Sequence, residues 1–396
     1  GHQQVDVGQD GAVVEAGDRE GDRDADQRQG RRSRVLLVLL LGALGLGLLR
    51  GETVGPSPHA PRASHSGDGA LVRDSASTDA PSPRIFHVCD DAPVPSNLGT
   101  TDWTEPASRI LTAAPAHHSA RDRITTPARS VSLVGTFTYG LLRKDLEGER
   151  VSVWIDDCSG TYRKVGGDTT NDDGRVSVAL APTTLPTPGR YRTYFYVHGD
   201  GSSTTGTLRV LPRGTEVVVF DVDGTLTTDN RELVGDLFDP LLRGNYVPTP
   251  RPKAAALTQA YRNVHGYQLV YLTTRPHWLR QRTASWLTAQ GMAPGTLRLS
   301  SSVTQALPTV SAAGEFKAEY LRRLTETLGL ELHRAYGNSD TDVYAYTRSG
   351  LTPAQIFLVG APDSEVDATL LRNGYEGHVE TVRRQFRPAQ QPFVYR

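Results

Sequence analysis

The sequence predicts two folded domains in series: a small all-β sandwich, then a doubly wound α/β domain built on a parallel sheet. Three observations carry this expectation. First, short alternating runs at Val131–Val134, Val151–Ile155, Val176–Leu180, Tyr191–Val197 and Thr207–Val210 are separated by Gly, Asn, Asp or Pro, which is the pattern of antiparallel strands joined by turns, immunoglobulin-like in its spacing. Second, beyond Pro212 the strand-like runs Val217–Phe220, Leu269–Leu272, Leu332–Tyr336 and Ile356–Val359 alternate with helical ones at Lys253–Val264, His277–Ala289, Phe316–Leu328 and Asp342–Ser349, and that alternation implies a parallel sheet covered on both faces. Third, Val217–Phe220 is apolar at every position, as a strand buried from both sides requires.

The remaining segments follow from composition. Lys and Arg number 43 against 44 Asp and Glu, for a formal charge of −1, so the backbone attraction expected of a nucleic-acid binder is missing. Residues 1–34 are polar and charged with few large apolar groups, which predicts a disordered tail. Arg31, Arg32 and Arg34 then lead into the apolar run Val35–Leu49. That run is shorter than the ~20 residues that span a bilayer, so it reads as a signal sequence or short membrane anchor. The basic flank on its N-terminal side places everything after Arg50 outside the cell, and predicts an exported protein, extracellular or anchored facing outward. Residues 50–83 are a Pro- and Ser-rich linker, 84–212 the sandwich, and 213–396 the α/β domain. Cys89 and Cys158 are two free thiols or, in an oxidising compartment, a disulfide. Asn171–Gly174 is a hairpin turn in this reading, and Asp156–Asp157 are solvated turn carboxylates.

The chemistry concentrates after Pro212. Val217–Phe220 ends directly in Asp221-Val222-Asp223-Gly224-Thr225, placing two carboxylates at the C-terminal edge of the sheet, where such folds bind ligands. One carboxylate, Asp221, can attack phosphorus, and the second, Asp223, can protonate the leaving alcohol and then activate water. Repulsion between two carboxylates and a phosphate calls for a hard cation, Mg²⁺. Asp221, Asp223, Thr225, Thr227, Asp229 and Glu232 also fall at the ligand positions of a calcium loop, which would suit a calcium-stabilised scaffold, but Leu226 stands where such a loop needs Gly and a strand precedes it. Thr273, at the end of the next strand, offers a hydroxyl to phosphate, with Thr274 and Arg275 following it and Pro276 set to open a helix. Lys317 can neutralise the phosphoryl group and the nucleophile. Asn338 and Asp342, after Gly337, supply oxygen ligands or an N-cap.

Taken in order, Asp221 with Asp223, Thr273, Lys317, and Asn338 with Asp342 resemble the four motifs of the haloacid dehalogenase superfamily. Within it, the Asp-x-Asp-x-Thr start, Tyr271-Leu-Thr-Thr-Arg-Pro276 and Gly337 to Tyr346 look like the catalytic domain of lipin-type phosphatidate phosphatases. They look equally like the C-terminal domain of membrane-associated phosphatidylinositol transfer proteins. The resemblance, over about Glu216 to Gly360, implies a Mg²⁺-dependent phosphatase acting on phosphatidic acid or another phosphomonoester at a membrane surface, and the short spacing from Asp223 to Thr273 and on to Lys317 leaves no room for a large cap. Asp221, Asp223, Thr273 and Lys317 would be catalytic, Gly224, Thr225, Thr274 and Arg275 would bind substrate, and Asp221, Asp223, Asn338 and Asp342 would hold the metal. The alternative it implies is a non-catalytic module that binds anionic lipid. Arg275, His277, Arg280 and Arg282 follow the phosphate turn and are candidate headgroup contacts.

Overall fold

The structure, a computed structural model, describes residues 84–127, 129–182, 187–228, 247–300, 310–360 and 367–395. The expected tail, apolar run and linker, and the calcium-loop positions Asp229 and Glu232, lie outside them. The first domain comprises β1 (Arg84–Cys89), helix α1 (Pro106–Leu111), β2 (Ser119–Ala120), β3 (Arg123–Thr125), β4 (Val131–Thr136), β5 (Thr138–Tyr139), β6 (Lys144–Asp145), β7 (Arg150–Asp156), β8 (Tyr162–Thr169), β9 (Arg175–Leu180), β10 (Gly189–Val197) and β11 (Ser203–Val210). One sheet runs through β1, β10, β11 and β3 with β7 attached along β10 and β8 beyond β7, and β4 with β2 and β9 forms the other. Their alternating inward residues, among them Leu133, Val153, Val178, Phe195 and Leu208, meet in one buried core, the arrangement expected of a sandwich.

Two local readings change. Asn171–Gly174 does make a tight turn, with the Gly174 amide donating to the Asn171 carbonyl at 2.8 Å, but β8 pairs with β7 while β9 pairs with β4. The turn therefore carries the chain from one sheet to the other and closes no hairpin. Asp156 is 1% exposed and accepts the amides of Ala92 and Cys158, a buried backbone acceptor where a solvated carboxylate was expected.

Cys89 and Cys158 form a disulfide with a Cα–Cα separation of 4.8 Å across 69 residues of chain. Closing a loop of that size restricts the unfolded chain by about 4 kcal/mol in the chain-entropy account. Cys89→Ala/Cys158→Ala is expected to lower the urea midpoint by a corresponding amount, and an unchanged midpoint would show the bridge to be energetically idle.

The second domain comprises β12 (Glu216–Asp221), α2 (Ala254–Gln259), β13 (Gln268–Pro276), α3 (Arg280–Ala289), β14 (Thr296–Ser300), α4 (Val310–Arg322), β15 (Glu331–Gly337), α5 (Asp340–Arg348), β16 (Ile356–Val359), β17 (Thr369–Leu371), α6 (His378–Gln385) and β18 (Phe393–Tyr395). Its six-stranded sheet has the order β14-β13-β12-β15-β16-β17, and every pairing is parallel. Alternate residues of β12 face opposite cores. Val218 and Phe220 pack with Tyr261, Tyr271 and Trp286 on one side, and Val217 and Val219 with Phe316, Leu321 and Tyr346 on the other. The chain leaves β12 towards β13 on one flank and has β15 on the other, so the C-terminal end of β12 opens a crevice between two strands.

The domains are joined through more than a linker. β1 pairs in parallel with β10 of the sandwich and with β18 from the chain's end, and Phe86 and Ile124 lie in the core under α4. Asp122, 7% exposed, accepts Arg280 Nε at 3.1 Å and Arg280 Nη2, the Thr207 amide at 3.0 Å and the Leu297 amide at 3.1 Å. One carboxylate thus binds groups from both domains. Arg280 also donates to the Thr205 carbonyl, and His277 Nδ1 is hydrogen-bonded to Ser119 Oγ at 2.8 Å. Burial, with Arg121, Arg175 and Arg143 adding to it, holds the His277 imidazole neutral. Arg280 and His277, expected as headgroup contacts, are instead spent on this interface.

Candidate functional site: a carboxylate and ammonium cluster at the end of the central strand

Asp221 closes β12 and is 4% exposed. Its Oδ1 accepts Lys317 Nζ at 2.6 Å, and its Oδ2 accepts the Thr225 hydroxyl at 2.9 Å. The same ammonium donates to Asp342 Oδ1 at 2.6 Å, so Lys317 bridges two buried carboxylates. Lys317 does not open a helix as expected: α4 begins at Val310, and the residue reaches the site from mid-helix. Burial alone would lower the Lys317 ammonium, but Asp221 and Asp342 outweigh it and hold its proton more tightly than usual. Burial pushes the Asp221 carboxyl up to about 7 against the pull of Lys317, with Asp342 and Asp223 adding to the rise.

The turn after β12 needs its glycine, because Gly224 has φ 75°, a conformation costly for residues with a Cβ. Arg251 pins this turn by donating to the carbonyls of Gly224 and Thr225, and Tyr375 donates to the Thr225 carbonyl at 3.1 Å. Neither Arg251 nor Tyr375 was singled out from the sequence. Arg251 sits between two prolines and Tyr375 in a turn near the chain's end, and only the fold brings them to Thr225.

Asp223 belongs to an adjoining group of residues. Its carboxylate accepts Thr273 Oγ1 at 2.9 Å, Arg275 Nη2 at 2.9 Å and Arg275 Nε at 3.0 and 3.2 Å. Arg275 is fully buried and donates further to Thr283. Arg275 therefore clamps Asp223 and does not point out at a ligand. Thr274 is partly exposed beside it on β13.

At the end of β15, Asp342 Oδ2 accepts the amides of Asn338 and Ser339 at 3.0 and 3.3 Å and the Ser339 hydroxyl at 2.9 Å, so the helix N-cap is Ser339, and Asp342, expected as a cap, is the N3 residue that completes its capping box. Gly337 is required here, since a Cβ would collide with the Asp342 side chain. Both Asp342 oxygens are thus engaged within the protein, and among the described residues no three His, Cys, Asp or Glu side chains surround a common point. The expected four-ligand metal set is not assembled as drawn. Asn338 Oδ1 and Asp221 Oδ2 both lie within hydrogen-bonding distance of Thr225 Oγ1. An amide oxygen and one carboxylate fit Mg²⁺, which keeps most of its waters and takes few protein ligands.

Residues 218–360 match the LNS2 domain of the PITM 1–3 family, and residues 116–210 match the β-sandwich domain of the same family. Two successive stretches of the chain are therefore similar to the PITM β-sandwich and LNS2 domains. Human membrane-associated phosphatidylinositol transfer protein 3 is 29% identical over 72% of this chain and 28% of its own length. Drosophila melanogaster protein retinal degeneration B is 31% identical over 67% of this chain and 20% of its own, and human membrane-associated phosphatidylinositol transfer protein 1 is 30% identical over the same shares. The chain thus spans only a fifth to somewhat over a quarter of these relatives. A solved haloacid dehalogenase family hydrolase from Salmonella enterica covers 60% of this chain and 99% of its own at 9% identity, with a TM-score of 0.27, too low to argue from.

These relatives correct two expectations. The reading as a phosphatase is overturned, because the relatives are named as phosphatidylinositol transfer proteins and not as hydrolases. In this site the carboxylate cast as general acid is held on both oxygens by a buried guanidinium, whereas the Lys317–Asp221 pair is a contact that the phosphatase reading itself called for. The reading as a secreted, outward-facing protein is overturned on the same ground, since the relatives are named as membrane-associated. Its physical basis was the run Val35–Leu49, which lies outside the described residues, and among those residues no helix is long and apolar enough to cross a membrane.

Proposed function

We propose that this chain is a membrane-surface module whose LNS2 domain binds the phosphomonoester headgroup of an anionic lipid, phosphatidic acid, without hydrolysing it. The observation that carries this reading is the Arg275 clamp on Asp223: general acid–base work requires a carboxyl free to exchange its proton, whereas this one is committed to a two-pronged ion pair. Around it stand Thr273, Lys317 and the amides of Asn338 and Ser339, donors that a phosphate oxygen would draw away from the carboxylates they now serve, Asp223, Asp221 and Asp342.

Three carboxylates, Asp221, Asp223 and Asp342, face two cations, Lys317 and Arg275. A phosphate dianion enters such a cluster only with a further positive charge. We therefore include Mg²⁺ in the proposal, held by Asp221 and Asn338. Its contribution is charge neutralisation.

Flotation with phosphatidylcholine vesicles carrying either phosphatidic acid or phosphatidylserine at matched charge tests this. Phosphatidic acid is expected to bind at least about tenfold more tightly, a difference of ~1.4 kcal/mol, to lose that preference in EDTA, and to release no inorganic phosphate. Equal binding of the two lipids, or stoichiometric phosphate release, would defeat the reading.

A further inference from the structure

The three most exposed large apolar side chains among the described residues are Ile110 at 81%, Leu142 at 80% and Leu141 at 68%. They lie at one end of the sandwich. Leu141 and Leu142 occupy the two central positions of the turn between β5 and β6, closed by the Arg143 amide donating to the Gly140 carbonyl at 3.0 Å. Such positions ordinarily take Gly, Pro, Asn, Asp or Ser, so two leucines there are placed against the usual turn chemistry. The segment after α1 runs alongside: the Gly140 amide donates to the Pro115 carbonyl at 2.9 Å, and Ala116 bridges Tyr139. Ile110 on α1 therefore belongs to the same end of the molecule as the turn.

Basic residues flank these apolar side chains: Arg109 beside Ile110, Arg143 and Lys144 beside Leu142. Lys144 is exposed and paired with Glu147, a surface contact that holds it only weakly. Arg143 reaches back to the second domain, its guanidinium 5.4 Å from the centroid of the Trp278 ring. Trp278 closely follows β13, the strand whose C-terminal end carries Thr273 and Arg275. The apolar tip thus stands at the same edge of the molecule as the C-terminal end of β13, and the Ser119–His277 bond fixes the two domains there.

We propose that Leu141, Leu142 and Ile110 form a wedge that inserts into an anionic lipid bilayer, with Arg109, Arg143 and Lys144 at the headgroup level, so that the neighbouring site meets a lipid phosphate still in its membrane. The shape decides for a bilayer over a protein partner: the leucines project from the tip of a turn, and an apolar tip with cations beside it matches an interface with acyl chains below and anionic headgroups around. The proposal rests on the lipid-headgroup reading of the site for its ligand, and on the tip alone for its membrane contact.

Ile110→Ser/Leu141→Ser/Leu142→Ser alters only exposed side chains, so the variant is expected to fold. Its affinity for phosphatidic acid vesicles should fall by a factor of ten or more, since burying each leucine is worth on the order of tenfold, while thermal stabilisation by soluble glycerol phosphate with Mg²⁺ stays at the parent's level. A Leu142→Trp variant should show a blue shift of its added indole emission when vesicles are present. Unchanged vesicle affinity in the triple serine variant, or no emission shift in Leu142→Trp, overturns the wedge. If the parent fails to prefer phosphatidic acid over phosphatidylserine yet still loses vesicle binding on serine substitution, the headgroup reading falls and the wedge stands.

Discussion

Lys317→Met is expected to destabilise the protein by about 3–5 kcal/mol, the cost of removing one partner from a buried ion network. Lys317 donates to both Asp221 Oδ1 and Asp342 Oδ1, and its side chain and theirs are each at most 6% exposed. Without the ammonium, two carboxylates share a dry site and at least one must take up a proton to remain there. That gives the effect a pH signature. A carboxyl whose folded pKa lies above its unfolded one binds a proton on folding, so its contribution to stability is present below the unfolded value and lost as pH rises through the folded value. For Asp221 in the parent protein this window runs from 3.8 to about 7. Loss of Lys317 moves its upper limit higher, so the deficit is larger at pH 8 than at pH 6. Asp221→Asn keeps an oxygen for Thr225 and leaves Lys317 paired with Asp342, and is expected to cost far less. Urea unfolding of the two variants at both pH values measures this, and a Lys317→Met deficit that is independent of pH would refute the charge argument.

Asp122→Ala is expected to cost a similar 3–5 kcal/mol and, in addition, to loosen the two domains from one another. The carboxylate receives Arg280 from α3, the amide of Leu297 from β14 and the amide of Thr207 from β11. Its loss leaves two backbone donors and a guanidinium without this acceptor in a region closed to water, and each such group carries its own desolvation cost. Differential scanning calorimetry is expected to show the parent's single transition broadening or splitting in the variant. Faster proteolytic cleavage near Pro212–Thr215, where the chain passes between the domains, would accompany it. A variant that unfolds in one transition at the parent's temperature would show that Asp122 couples nothing.

The parallel sheet was legible because its strands are buried on both faces: only continuous apolar runs such as Val217–Phe220 and Ile356–Val359 satisfy that environment, and they stand out in any sequence. Nine strands, β1, β2, β3, β5, β6, β8, β14, β17 and β18, were not legible. β17 is three residues long and partly exposed, and β1 gains its place only by pairing with strands distant in sequence, β10 and β18. Nor could local sequence show that Asn171–Gly174 joins two sheets, since the same turn serves a hairpin equally well.

At the site, Asp221, Thr225, Lys317, Asn338 and Asp342 were named from spacing and the structure draws them into one hydrogen-bonded cluster. The sequence by itself determined that Asp221, Thr225 and Asn338 lie at or just past strand ends, because strand-to-turn transitions are written in local residue chemistry. Only the tertiary structure decided what each group faces: that Arg275 turns inward onto Asp223, that Asp342 spends its oxygens on a helix start and an ammonium, and that Arg280 and His277 serve the domain interface. The physical reason is that a charged side chain's partner is chosen by burial and by distances across the fold. Those are set by the packing of the whole chain, and no residue's immediate neighbours contain them.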